Sequence, residues 1–126
     1  MKTKQKRPKF LNLLQIRLPI TGVVSIAHRI SGAMLFLAIP GLIYMFNLSL
    51  KDAQSFARFQ QIIESGCFKL ILTLLAWAIA HHALAGIRFL LTDLDLGTSL
   101  AAARRFAWIV NIAGIVVFIL IALRIW

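Results

Sequence analysis

The chain of 126 residues holds four acidic residues and one cysteine. A single cysteine excludes an internal disulfide and supplies no metal motif. Cys67 therefore reads as a small hydrophobe at a helix start. The four acids, Asp52, Glu64, Asp93 and Asp95, fall in loops or at their edges, so no paired carboxylates exist for a hydrolytic mechanism. No serine or threonine sits beside a base as an activated nucleophile, and there are no repeats, no Walker loop and no glycine-rich dinucleotide fingerprint. Charged residues make up 14% of the chain, against about 25% in a typical soluble domain.

Apolar residues take the place of the missing charge. The chain is 60% hydrophobic with a mean hydropathy of +0.86, more apolar surface than a soluble domain of this size can hide. Three runs are long enough to cross a ~30 Å hydrocarbon core, which predicts an all-α integral membrane protein with three transmembrane helices. The spans are expected over about 22–48, 68–91 and 106–125, preceded by a basic arm, 1–21. Such a chain has no sizeable catalytic core outside the lipid.

The formal net charge is +10, but its placement argues against nucleic acid. Six bases and no acid lie in the first 17 residues: Lys2, Lys4, Lys6, Arg7, Lys9 and Arg17. Basic flanks beside apolar spans follow the positive-inside rule and attract anionic headgroups. With Arg88, Arg104 and Arg105 near the second connection, they put the N-terminus and that connection in the cytoplasm and the C-terminus in the periplasm. The arm is not expected to be a removable signal peptide, because the basic region leads into a broken stretch. Leu11, Leu13, Leu14, Ile16 and Leu18 suit a short interfacial segment, with Pro19 closing the arm and Thr21 as N-cap of span one. Pro40 falls mid-span, which membrane helices tolerate. Between spans one and two, Phe56, Phe59, Ile62 and Ile63 recur at helical spacing and predict a short amphipathic helix. Trp108 and Trp126 are placed as interfacial anchors.

The run from Trp77 to Arg88 contains adjacent histidines, His81 and His82. Ionisable groups at membrane depth are expensive and mark functional sites. Gly86, four residues after His82, lies on the same helix face, leaving a gap that suits a flat macrocycle with His82 as axial nitrogen ligand. His81 points about 100° away. Alternatively, both histidines bond to neighbouring helices and Gly86 serves close packing. Depth adds further groups. At 1.5 Å per residue, His28 and Arg29 lie about 9–10 Å inside span one and His82 about 9 Å before Arg88. His28, Arg29, His82 and Arg88 then share one level, with Ser25 about a turn away. Guanidinium groups there suit haem propionates, or Arg29 and Arg88 snorkel to lipid phosphates. Oriented hydroxyl and guanidinium donors suit the carbonyl oxygens of a quinone, where charge develops on reduction.

Three strings resemble one family: Arg7-Pro8, then Ser25-Ile26-Ala27-His28-Arg29-Ile30-Ser31-Gly32, then His82-Ala83-Leu84-Ala85-Gly86-Ile87-Arg88 followed by Asp93. With three spans in this length, the chain resembles the cytochrome b membrane-anchor subunit of succinate dehydrogenase (respiratory complex II). The stretch Ile16-Arg17-Leu18-Pro19-Ile20-Thr21 resembles the proteobacterial branch. The resemblance implies a bacterial inner-membrane subunit, part of a heteromeric helix bundle, in which His82 is one axial ligand of haem b and a second, smaller anchor subunit supplies the other. It implies that Ser25 and Arg29 line the ubiquinone site and that His28 and Arg29 lie near the haem propionates. The implied partners are that second anchor, an iron–sulfur subunit and a flavoprotein subunit, which deliver electrons from succinate. Phe89 stands where some members have a histidine, so no role for that histidine carries over. His81 has no place in the pattern, and the choice of His82 rests on its spacing to Gly86. Three alternatives remain at this stage. His28 and His82 could both ligate one iron from this chain, the chain could be a scaffold or assembly protein without cofactor, or it could anchor a related fumarate reductase.

Overall fold

The structure, a computed structural model, describes residues 17–126. The basic arm before Arg17, including Arg7-Pro8 and most of the expected interfacial segment, lies outside the described residues. Four helices follow in order: α1, Ile20–Lys51; α2, Ala53–Glu64; α3, Gly66–Asp93; and α4, Leu100–Ile125. No strand is present among the described residues. Helices α1, α3 and α4 have 32, 28 and 26 residues, and each is apolar enough to cross a membrane. About 20 residues suffice for a hydrocarbon core, so each has turns to spare at its ends.

The helix boundaries have local causes. α1 begins two residues earlier than a Thr21 cap would place it. Pro19, at φ −65° and ψ 154°, is the N-cap and offers no side-chain bond. Its carbonyl accepts from the backbone N–H of Gly22 and Val23 at 2.8 and 3.1 Å, which leaves Thr21 inside the first turn. Pro40 lies within α1 without ending it. One extended residue, Asp52, separates α1 from α2, and its carboxylate accepts from the Ser55 backbone N–H at 2.7 Å. Ser65 makes the next break. Its hydroxyl donates to the Ile62 carbonyl at 2.6 Å and accepts from the Phe68 N–H at 3.3 Å. The connection to α4 turns through Asp95 at φ 59° and Gly97 at φ 73°. Gly97 also lies against the Phe106 ring, whose Cε2 would stand 2.5 Å from an added Cβ. The positive φ favours glycine at position 97, and any side chain there would also have to displace the Phe106 ring.

The Ser55 N–H holds the Asp52 carboxyl below its ordinary value of 3.8. The charged form is the one favoured by folding, so the cap is complete above that value and is lost as pH falls through the lowered folded one. Asp52→Ala is expected to speed hydrogen exchange at Ser55 and the next amides of α2 at neutral pH. At a pH below the folded value, the variant and the parent should exchange alike.

α2 is amphipathic, and of the residues whose spacing predicts it Phe59, Ile62 and Ile63 are partly buried and Phe56 is exposed, while Arg58, Gln60 and Gln61 face outward. α3 lies against both α1 and α4. The core between them is small, built on Val24, Ala85, Ala107 and Val110. Large apolar residues point away from it; Phe36 is 71% and Leu123 74% exposed. In water that arrangement would fail, whereas in lipid the outward residues meet solvent of their own kind. Small residues at the contacts let the backbones approach. Three polar side chains, Ser31, Thr73 and His81, are nevertheless buried.

Candidate functional site

Helices α1 and α3 run antiparallel past each other, and their histidines meet. The His28 and His82 rings are stacked, with centroids 4.1 Å apart and planes 8° from parallel. The equal depth expected from the helical rise is therefore observed for this pair. Phe89 packs edge-on against His28, with ring centres 5.2 Å apart.

Each ring sits over a glycine of the opposite helix. A Cβ added at Gly32 would stand 2.9 Å from His82 Cε1, and one added at Gly86 would stand 3.8 Å from His28 Nε2. This corrects the reading that Gly86 leaves a gap beside His82, because the ring of His28 occupies that space. The glycine that admits His82 is Gly32, and spacing within one helix could not reveal it. Its sequence signal is the pair Ser31-Gly32, one turn after His28 and so on the same face of α1.

The hydrogen bonds of His82 fix its tautomer. Nδ1 lies 3.1 Å from the carbonyl oxygen of His28 and 3.3 Å from Ser31 Oγ. A carbonyl oxygen cannot donate, so Nδ1 must carry the proton. The Ser31 hydroxyl donates to that same carbonyl at 2.9 Å, which leaves its oxygen free to accept from the ring. In the neutral ring the lone pair is then on Nε2. Among the described residues Nε2 has no hydrogen-bond partner and is not sealed from the surface. A neutral imidazole whose Nδ1–H is held by a carbonyl, with Nε2 free, is the usual form of a metal-ligating histidine.

The geometry also bears on the ligand pairing. Two axial ligands of one iron point their nitrogens at each other from opposite faces of the macrocycle. Rings stacked face to face at 4.1 Å leave no space for a macrocycle between them. Stacked in this way, His28 and His82 cannot present nitrogens to the two faces of one macrocycle lying between them.

His81 faces the other way. It is 1% exposed, with Nε2 3.2 Å from Asn111 Oδ1 on α4. Ser25 is partly buried on the His28 face of α1, and Arg29 is exposed. Arg88 is partly buried, with its guanidinium 5.3 Å from the Phe89 ring centre and a buried Nε that has no partner among the described residues. The structure thus joins His28 and His82 directly, while Ser25 and Arg29 flank them on α1. Among the described residues no group of three histidine, cysteine or acidic side chains could enclose a metal ion. Of the stacked pair, His82 has its Nδ1 held by a carbonyl, whereas neither ring nitrogen of His28 has a hydrogen-bond partner among the described residues.

A family model described as succinate dehydrogenase/fumarate reductase transmembrane subunit matches residues 3–121. The succinate dehydrogenase cytochrome b556 subunit of Coxiella burnetii is 34% identical over 122 residues, covering 96% of this chain and 98% of its own. The subunit of the same name from Rickettsia bellii is also 34% identical, over 95% of this chain and 97% of its own. The one from Paracoccus denitrificans is 31% identical, over 93% and 89%.

Proposed function

The chain belongs to the succinate dehydrogenase/fumarate reductase transmembrane subunit family, and from that premise we propose that it anchors succinate:ubiquinone oxidoreductase in the bacterial inner membrane, holds haem b through His82 and forms part of the quinone-reduction site. The observation that carries the haem assignment is the tautomer of His82, with Nδ1–H committed to the His28 carbonyl and Nε2 left to coordinate. The relatives are by name cytochrome b subunits, which agrees with a ligand of this kind. The stacking of His28 on His82 supports a partner anchor as the source of the second ligand. An iron–sulfur and a flavoprotein subunit complete the assembly. The family's description covers both succinate dehydrogenase and fumarate reductase, and the relatives' names favour succinate oxidation. The basic arm and the Arg104-Arg105 pair favour a cytoplasmic N-terminus and a periplasmic C-terminus.

The division of labour follows from the residues. Bound haem supplies a one-electron redox centre. Ser31 and the His28 carbonyl orient the His82 ring, and Gly32 admits it. Arg29, exposed beside His28, offers a guanidinium to the propionates or to the quinone. Ser25, one turn away on the same helix, offers a hydroxyl to a quinone carbonyl oxygen, where oriented donors stabilise the charge that reduction creates.

In the purified complex, Ser25→Ala and Arg29→Ala are each expected to lower succinate–ubiquinone reductase activity by about 10²-fold, the usual effect of removing one oriented donor. Reduction of an artificial acceptor that draws electrons upstream of the membrane should persist. Equal loss of both activities would remove these residues from the quinone site.

A further inference from the structure

Resting on the reading that His82 holds the haem iron, we propose that the His81–Asn111 hydrogen bond is a rotational lock on α3, making His81 and Asn111 positioning residues for the haem site. The reasoning begins with a costly choice of residue. His81 is 1% exposed within the helix contact, and its Nδ1 is buried without a partner among the described residues. The Trp77 ring lies 5.4 Å away by centroid, and Gly114 of α4 is so close that an added Cβ would meet His81 Cδ2 at 3.3 Å. An apolar side chain would fill this space without enclosing an unpaired nitrogen. His81 is also no rival ligand, since Nε2 is engaged by Asn111 Oδ1 at 3.2 Å and Nδ1 is walled in.

The placement of the bond gives the polar group a use. Among the described residues, every side-chain hydrogen bond between two spanning helices is made by His81 or His82. These neighbours project about 100° apart. α3 is therefore tethered at one level from two sides, to α1 through His82 and to α4 through His81. Between helices in lipid no hydrophobic drive favours one face, and interhelical hydrogen bonds add a directional restraint to the packing. A turn of about 10° moves an atom at the side-chain radius, about 5–6 Å from the axis, by about 1 Å. Functional constellations tolerate about 0.5 Å. The bond to α4 removes that freedom, and so sets the direction in which His82 Nε2 leaves the bundle.

The test uses the purified intact complex and reads the low-spin ferric haem signal by electron paramagnetic resonance, with the haem-to-flavin ratio. The g-values of that signal respond to the orientation of the axial rings. His81→Phe keeps the bulk and loses the bond; Asn111→Leu loses the bond and leaves His81 in place; His81→Gln can still donate to Asn111. The expected result is near-normal haem content in all three, a shifted or split signal in His81→Phe and Asn111→Leu, and the parent signal in His81→Gln. The parent signal in either of the first two, or an altered one in His81→Gln, would overturn the lock. Failure of both bond-deleting variants to assemble while His81→Gln assembles would make the bond an assembly contact and also overturn it. His82→Ala separates this failure from failure of the underlying reading: haem retained there with the parent signal removes the ligand assignment and the lock together.

Discussion

His82→Ala is expected to empty the haem site of the assembled complex. Replacing groups that orient a metal ligand costs 10–100-fold in affinity, and removing the ligand itself should exceed about 100-fold by the same scale. The haem-to-flavin ratio and the reduced-minus-oxidised spectrum measure this directly. His28→Ala provides the contrast. It deletes the ring stacked at 4.1 Å on His82 but keeps the backbone carbonyl that accepts from Nδ1. Haem should remain in His28→Ala, with an altered spectrum. Loss in His28→Ala and retention in His82→Ala would reverse the assignment.

The second large effect is expected at Gly32. An added Cβ would stand 2.9 Å from His82 Cε1 and 3.4 Å from Nδ1, so even Gly32→Ala forces the ring or the helix to move. The ring cannot yield by simple rotation, because Nδ1 is tied to the His28 carbonyl and Ser31. Gly32→Val adds branched bulk at the same point and should separate α1 from α3. Its expected outcome is loss of most haem and poor assembly, at a cost of about 1–3 kcal/mol of overpacking. Gly86→Ala is the control from the opposite helix. Its Cβ would meet His28 Nε2 at 3.8 Å, an ordinary contact, and haem content should hardly change. Equal effects at the two glycines would contradict the pairing of His82 with Gly32.

Much of this architecture is legible in the sequence. Hydropathy marks three spans because a membrane helix must be apolar over a fixed length, and α2 follows from the period of Phe56, Phe59, Ile62 and Ile63, although Phe56 is exposed. The level shared by His28 and His82 followed from a constant rise per residue. What stayed hidden depends on how helices rotate against one another. The spacing of His82 to Gly86 reports neighbours on one helix only. The ring instead crosses to Gly32, and Gly86 receives His28. The partner of His81, Asn111, lies 30 residues away on α4, and no local pattern joins them. The start of α1 differs from its expected place for a smaller reason. Thr21 is a good capping residue in general, but the Pro19 carbonyl already accepts the first helical N–H groups.

A density map of the purified complex resolving side chains and haem tests the central claim most directly. The account predicts the iron within about 2.1 Å of His82 Nε2, the usual metal–imidazole distance, with Nδ1 still against the His28 carbonyl and the opposite axial position filled by a residue of another subunit. Iron coordinated by His81 or His28, or no haem beside α3 in an otherwise complete assembly, would contradict it.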